Sequence, residues 1–289
     1  MGAESCKGDI LALPEDCIAY IISFTNPRDA CRLAILSSVL SSAIRYDFVW
    51  ESFMPYDYRQ ILSRSVAGSD SLLRKFSSKK ELYDYLCDHP ILIDDGRKSF
   101  SLDRSTGKVC CMLSAKEVCS EMINRTSLPE SRFSEVAEIP KNRALRIHGP
   151  GYAEMPPLTP DTKYIAYFVF SFNTETDGFK LPANPKHAKV ELQWWPDKRK
   201  FLICLLPKDA IHDENLDDRY LDFICHPDIL WPNTRLDGWL EIELWELFIT
   251  REKRESNEDG REYHQKLQLD TDSWKCGIHI EGIEYRPKH

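Results

Sequence analysis

The side chains best equipped for chemistry lie late in the chain. Glu241 and Glu243 place two carboxylates in the strand-like run 237–248, and a glycosidase uses two carboxylates as acid and base. Residues two apart on a strand share a face, so the pair reads as the polar side of a surface strand. The run His212-Asp213-Glu214-Asn215-Leu216-Asp217-Asp218 offers oxygen ligands. It has neither the spacing nor the central glycine of a calcium loop, and it reads as a solvated acidic loop. The eight histidines form no His-Glu-x-x-His and no paired Cys/His spacing, so no metal is expected. Gly-x-Ser-x-Gly, the P-loop and Gly-x-Gly-x-x-Gly are also absent. No catalytic residue and no cofactor are expected.

Aromatic side chains are the remaining candidates for binding. A sugar lays its apolar C–H face on an aromatic plate while hydrogen bonds orient its hydroxyls. Trp194, Trp195, Trp231, Trp239 and Trp245 either supply such a plate or cover a core, as tryptophan usually does. Alternation puts Leu240, Ile242 and Leu244 on the inward face, so Trp239 and Trp245 point the other way. Together with Trp195 they are the candidate ligand-binding residues.

The elements that carry these residues are strands. Runs at 99–103 and 108–113 flank the turn Arg104-Ser105-Thr106-Gly107. Further runs lie at 144–148, 164–172, 189–195, 201–206, 237–248 and 275–287. The run 164–172 is apolar on both faces and reads as a central strand. Gly282 marks a register shift and a bulge. Many strands with turn signals and few helices indicate an antiparallel β-sandwich.

The front of the chain is helical. Leu13-Pro14-Glu15-Asp16 opens a helix with proline at its start and acids in its first turn. Ile18, Ile21 and Ile22 form one apolar face, with Cys17 beside them. Asn26-Pro27-Arg28-Asp29 reads as a cap, a first-turn proline and an acidic third position. Leu36, Val39, Leu40, Ala43 and Ile44 make a second stripe; Val49, Trp50 and Phe53 close the module. Three short helices cannot hide so many apolar side chains in so small a core. The surplus must meet a partner or the rest of the chain. Between module and strands, a serine-rich stretch at 63–78 is followed by Ser78-Lys79-Lys80-Glu81, a capping box before a helix that ends near Pro90. This linker reads as partly helical, holding a defined spacing.

The chain has 289 residues, 42% hydrophobic and 29% charged, with a formal net charge of −8. That length suggests two domains. The negative charge argues against nucleic-acid or membrane partners. No apolar run approaches bilayer length, and MGAESCKGD lacks the apolar centre of a signal peptide. The ten cysteines are scattered and are expected to be reduced thiols.

The opening LPED, the isoleucines, the PRDAC step and the closing VW resemble the F-box. That resemblance implies docking of a Skp-type adaptor, and through it a cullin, by Leu13, Pro14, Ile18, Ile21 and Ile22, with Trp50 matching the motif's late aromatic residue. The segments CDHPILIDDGRKSFSLDRSTGK, SLPESRFSEVAE, DGWLEIELWELF and WKCGIHIEGIEYRP resemble the phloem protein 2 group, plant lectins of the tobacco-agglutinin type. This second resemblance implies a jelly-roll-like lectin sandwich, affinity for N-acetylglucosamine oligomers or N-glycan cores, and residence in cytoplasm and nucleus. Group members carry a tryptophan-rich stretch where this chain has Ala115-Lys116-Glu117-Val118-Cys119-Ser120-Glu121-Met122-Ile123-Asn124-Arg125-Thr126, without an aromatic residue. No glycan-binding residue therefore carries over.

The combined expectation is an α+β multidomain chain: a tail at 1–8, an F-box module at 9–56, a partly helical linker at 57–95 and a lectin-like β-sandwich at 96–288. It would recruit a protein or glycoprotein target to a Skp–cullin–F-box ubiquitin ligase without doing chemistry itself. The alternative is a cytosolic carbohydrate-binding lectin with no ligase role.

Overall fold

The computed structural model describes residues 10–119, 124–138, 145–148, 156–172, 191–193, 202–203, 229–251, 266–269 and 278–289. The chain divides into two compact units, Met1–Ile93 with Phe100–Cys110, and Asp94–Ser99 with Cys111–His289. The architecture is α+β: helices come first, then antiparallel sheet. Among the described residues, no helix is long and apolar enough to cross a membrane.

Among the described residues, the first unit has a 3-10 turn, Ile10–Ala12, and seven helices: α1 Glu15–Ile22, α2 Pro27–Leu36, α3 Ser38–Ala43, α4 Asp47–Phe53, α5 Tyr58–Ser63, α6 Ser69–Lys75 and α7 Lys79–Asp88. In α1 the acids Glu15 and Asp16 sit in the first turn, and Ile18, Ala19 and Ile22 are buried. Asn26 caps α2: its side chain accepts from the Asp29 N–H at 2.9 Å, and Pro27 takes the first helical position. The stripe read from Leu36 to Ile44 is not one helix. Ser37 is extended (φ −158°, ψ 145°) and caps α3 through the Val39 N–H. The break leaves Leu36 exposed while Leu40, Ala43 and Ile44 go inside.

The segment between helical module and strands is built into this same unit. Ser78 caps α7 by accepting from the Glu81 N–H, and α7 buries Leu82, Tyr83 and Leu86. Three strands follow, β1 Ile91–Ile93, β2 Lys98–Leu102 and β3 Val109–Ser114. The turn between β2 and β3 packs on the helices. The Asp103 carboxylate accepts from the backbone N–H groups of Ser105 and Thr106 and from both their hydroxyls. Ser105 O accepts from the Arg28 N–H at 3.3 Å. Arg104 pairs with Asp84 at 3.0 Å and with Asp88 at 2.5 Å. Gly107 (φ +71°) lies so close that a Cβ would stand 2.1 Å from the Phe53 carbonyl oxygen, so only glycine fits.

The second unit continues with α8 Ala115–Val118, β4 Asn124–Thr126, β5 Val136–Glu138, β6 Leu145–His148, β7 Thr162–Phe172, β8 Glu191–Gln193, β9 Leu202–Ile203, β10 Ile229–Leu230, β11 Asn233–Thr234, β12 Leu240–Ile249, β13 Lys266–Leu269 and β14 Ile278–Pro287. Its main sheet runs β3-β14-β7-β12-β11, with β5 also on β14 and β4 on β5. A second sheet is β6-β13-β8, antiparallel throughout, and β9 and β10 form a short parallel pair. The central position of β7 agrees with its sequence. Tyr164, Ala166, Phe168 and Phe170 are buried, whereas Lys163 is exposed and Ile165 and Tyr167 are half-buried. One face is thus core and the other partly solvated.

Among the described residues, the register of this sheet shifts at two bulges. In β14 the register against β7 shifts between Ile280 and Gly282. Gly282 takes φ +155°, and a Cβ there would lie 1.9 Å from the Leu113 carbonyl oxygen. This is the expected glycine bulge. In β12 a shift falls between Glu243 and Trp245, which the strand's alternation did not signal.

Candidate docking and recognition surfaces

The six residues expected to meet an adaptor divide into two sets. Leu13, Pro14 and Ile21 are on the surface, whereas Ile18, Ile22 and Trp50 are in the helical core. Trp50 is 1% exposed; its indole N–H donates to the Ile44 carbonyl at 2.7 Å, and its ring meets Phe53 edge-on at 5.8 Å. These three hold the helices in place and present nothing to a partner in this conformation.

The surface also carries large apolar residues that the periodic stripes either passed over or, for Leu36, placed inside. Tyr20, Phe24 (72%), Ile35 (84%) and Leu36 (74%) are exposed. Leu13, Cys17, Tyr20, Ile21 and Phe24 recur at helical spacing. They form a solvent-facing stripe beside the buried one, with Tyr20 and Phe24 packed edge to face at 4.9 Å. On α2 the exposed positions Cys31, Ile35 and Leu36 continue this pattern. The signal was in the sequence: α1 has more apolar positions than one face holds. Large apolar side chains left in water in this number mark a candidate interaction site.

The expected aromatic platform takes a different form. Trp239 is 2% exposed, and its indole N–H donates to the Glu130 carbonyl at 3.3 Å. Trp245 is 7% exposed. The outward orientation inferred from alternation is therefore corrected. The bulge after Glu243 turns Trp245 inward, and the 128–133 loop covers Trp239. Neither ring offers an open face to a sugar. Trp194 and Trp195 lie outside the described residues. Where group members carry the tryptophan-rich stretch, α8 buries Ala115 and Val118. A cleft beside it, lined by Lys116, Cys119, Arg125 and Glu135, holds about 10 Å³, room for one water. Burial pushes the Cys119 thiol up to about 12.

The polar face of the main sheet carries a charge network instead. Arg132 Nη1 donates to Glu284 at 3.0 Å, and Arg235 Nη1 donates to the other Glu284 oxygen at 2.6 Å. Glu241 bridges Arg235 at 3.0 Å and Arg286 at 2.7 Å. The Arg286 guanidinium lies 3.7 Å over the Tyr167 ring, a cation–π contact. Asp237 accepts from Arg235 Nε. Burial raises the Glu284 carboxyl, but Arg132, Arg235 and Arg286 together outweigh it and hold it below the usual range. Burial likewise works against the charge of Arg235, and Glu284, Asp237 and Glu241 overcome it, raising its affinity for the proton. Glu241 is thus occupied by two arginines while Glu243 is exposed, so the two do not act as a matched acid–base pair. Among the described residues, no cluster of His, Cys, Asp or Glu could hold a metal ion, and the acidic run 212–218 lies outside them.

Comparison with known proteins matches both halves. The F-box domain model covers residues 10–52 and the Phloem protein 2 model covers residues 108–287. F-box protein At2g02240 of Arabidopsis thaliana is 38% identical over 301 residues, spanning 99% of this chain and 85% of its own length. F-box protein PP2-B10 of the same plant is 37% identical over 282 residues, 96% of this chain and 93% of its own. F-box protein PP2-B13 is 34% identical across 96% and 99% respectively.

Proposed function

Because the chain belongs to the F-box proteins that carry a phloem protein 2 domain, we propose that it is the substrate-recognition subunit of a Skp–cullin–F-box ubiquitin ligase. One observation carries the docking half: Leu13, Tyr20, Ile21, Phe24, Ile35 and Leu36, in and around α1 and α2, are all exposed. Leaving them in water forgoes roughly 25 cal/mol for every Å² of apolar area. A Skp-type adaptor would recover that energy. The sheet domain then holds a protein or glycoprotein target in the cytoplasm or nucleus. Ubiquitin transfer occurs on partners, and this chain contributes effective concentration and orientation.

Co-purification of the full chain with a purified adaptor tests this reading. Leu13→Asp and Ile21→Asp change exposed positions, so both should abolish capture while circular dichroism and melting stay those of the unmodified chain. Retention of the adaptor by both variants would overturn the docking half. The phloem protein 2 match over 108–287 supports a second reading, a lectin for N-acetylglucosamine-containing glycans without a ligase role. Glycan-array binding by a sample that captures no adaptor would favour it.

A further inference from the structure

Ser77 lies in a short strip of extended backbone between two helices. α6 ends at Lys75 and Phe76 is extended (φ −108°, ψ 137°). Ser78 is extended as well (φ −140°, ψ 160°), where it caps α7. Phe76 is half-buried and meets the Tyr85 ring at 4.9 Å, so the strip is pinned at that side chain. The two hydroxyls of the strip have different tasks. Ser78 is half-buried, and its oxygen accepts from the Glu81 N–H at 3.2 Å, as a cap must. Ser77 is exposed and caps nothing. Its hydroxyl donates to the exposed Glu81 carboxylate at 2.8 Å, and the same oxygen takes the Ser77 N–H at 2.9 Å. At an exposed position water replaces such a bond at small net cost.

The residues in front of Ser77 give its hydroxyl a context. The order is Arg74-Lys75-Phe76-Ser77. Of the serines between 63 and 78, Ser77 alone stands three places after an arginine. Arg74 is exposed and, among the described residues, forms no ion pair. Basophilic protein kinases select their acceptors by charge pattern, an arginine three residues before the hydroxyl entering an acidic pocket while the acceptor segment lies extended. Lys75 adds a second cation, its Nζ 4.7 Å from the centre of the Tyr85 ring. One obstacle stands in the way, because Arg74 belongs to the last turn of α6. α6 has seven residues, and a helix that short is marginal on its own. Opening its final turn leaves the buried Leu72 in place.

We propose that Ser77 is a phosphorylation site for a basophilic serine/threonine protein kinase. The Ser77 Oγ attacks the γ-phosphorus of ATP while its proton passes to a carboxylate base of the kinase. The bond from that phosphorus to the β,γ-bridging oxygen breaks, and ADP leaves. The product has no hydroxyl proton left for Glu81 and sets a charge of about −1.5 to −2 against that carboxylate. Glu81 therefore turns away from Ser77, while Ser78 keeps the cap of α7.

The full folded chain, incubated with ATP, magnesium and the purified catalytic subunit of cyclic-AMP-dependent protein kinase, tests the site, with phosphate located by fragmentation mass spectrometry. A synthetic peptide spanning 70–82 is run beside it. The unmodified chain should gain phosphate at Ser77, and Ser77→Ala should lose it. Arg74→Ala should slow labelling of Ser77 at least about tenfold, the effect of losing one charge-assisted contact. Both substitutions fall at exposed positions, and circular dichroism checks that the fold is kept. Absence of phosphate at Ser77, label at Ser78 in its stead, or an unchanged rate in Arg74→Ala would overturn the proposal. Labelling of the peptide but not of the full chain would refute it too, by showing that the folded segment is closed to the kinase. Neither adaptor nor glycan enters the assay, so its outcome is separate from that of adaptor capture.

Discussion

Trp50 and Tyr83 meet ring to ring, their centroids 5.2 Å apart and their planes tilted by 54°, although thirty-three positions separate them in the chain. Trp50 falls within the F-box match and Tyr83 beyond it. The core of the docking unit thus extends past the motif that names it. Trp50→Ala should cost about 3–5 kcal/mol, as expected for a buried large-to-small change. Urea denaturation followed by helical circular dichroism measures this, and any loss of adaptor capture should follow the loss of helix.

Phe24→Asp and Ile35→Asp should behave in the opposite way. Both positions are mostly in water, so stability should stay within about 0.5 kcal/mol of the unmodified chain. Adaptor affinity should fall at least about 30-fold, the size of an interface hot spot. Calorimetry with purified adaptor separates the two quantities.

Gly107→Ala and Gly96→Ala form a matched pair. Both glycines have left-handed φ, +71° and +73°, but a Cβ at Gly96 meets nothing within 4 Å while one at Gly107 strikes the Phe53 carbonyl. Gly96→Ala should cost about 1–2 kcal/mol from backbone conformation alone. Gly107→Ala should cost clearly more in thermal unfolding, and the difference isolates the close approach.

Glu284→Gln leaves Arg132 and Arg235 short of their shared partner. Breaking such a buried pair costs about 3–5 kcal/mol. The pH dependence has a definite sign. The Glu284 value is depressed in the folded chain, so its contribution is present above the unfolded glutamate value and disappears as pH falls through the depressed one. Acid denaturation of Glu284→Gln should therefore be shallower than that of the unmodified chain.

Local signals in the sequence were reliable where the physics is local. The Asn26 cap, the proline at the start of α2, the Ser78 cap and the Gly282 bulge all depend on near neighbours, and each is present. The Glu81 half of the capping box is displaced by one residue: its carboxylate accepts from the Ser77 N–H. Leu36 was misread because one extended serine ends a helix that periodicity would continue. Trp239 and Trp245 were misread because counting by twos presumes an unbroken strand, and a bulge and a loop from a hundred residues away decide their burial. Buried Glu281 of β14 accepts from the Ser131 hydroxyl some 150 positions upstream, beyond any windowed pattern.

The turn at 103–108 has a bearing on how such proteins can be recombined. It lies ten residues past Ile93, yet it is stitched to the helices through Arg28, Asp84, Asp88 and Phe53. A chimaera spliced at the end of β1, to give this docking unit a foreign target reader, would discard a piece of the docking unit itself. Gene shuffling that kept both halves sound would have to carry that loop with the helices or supply an equivalent.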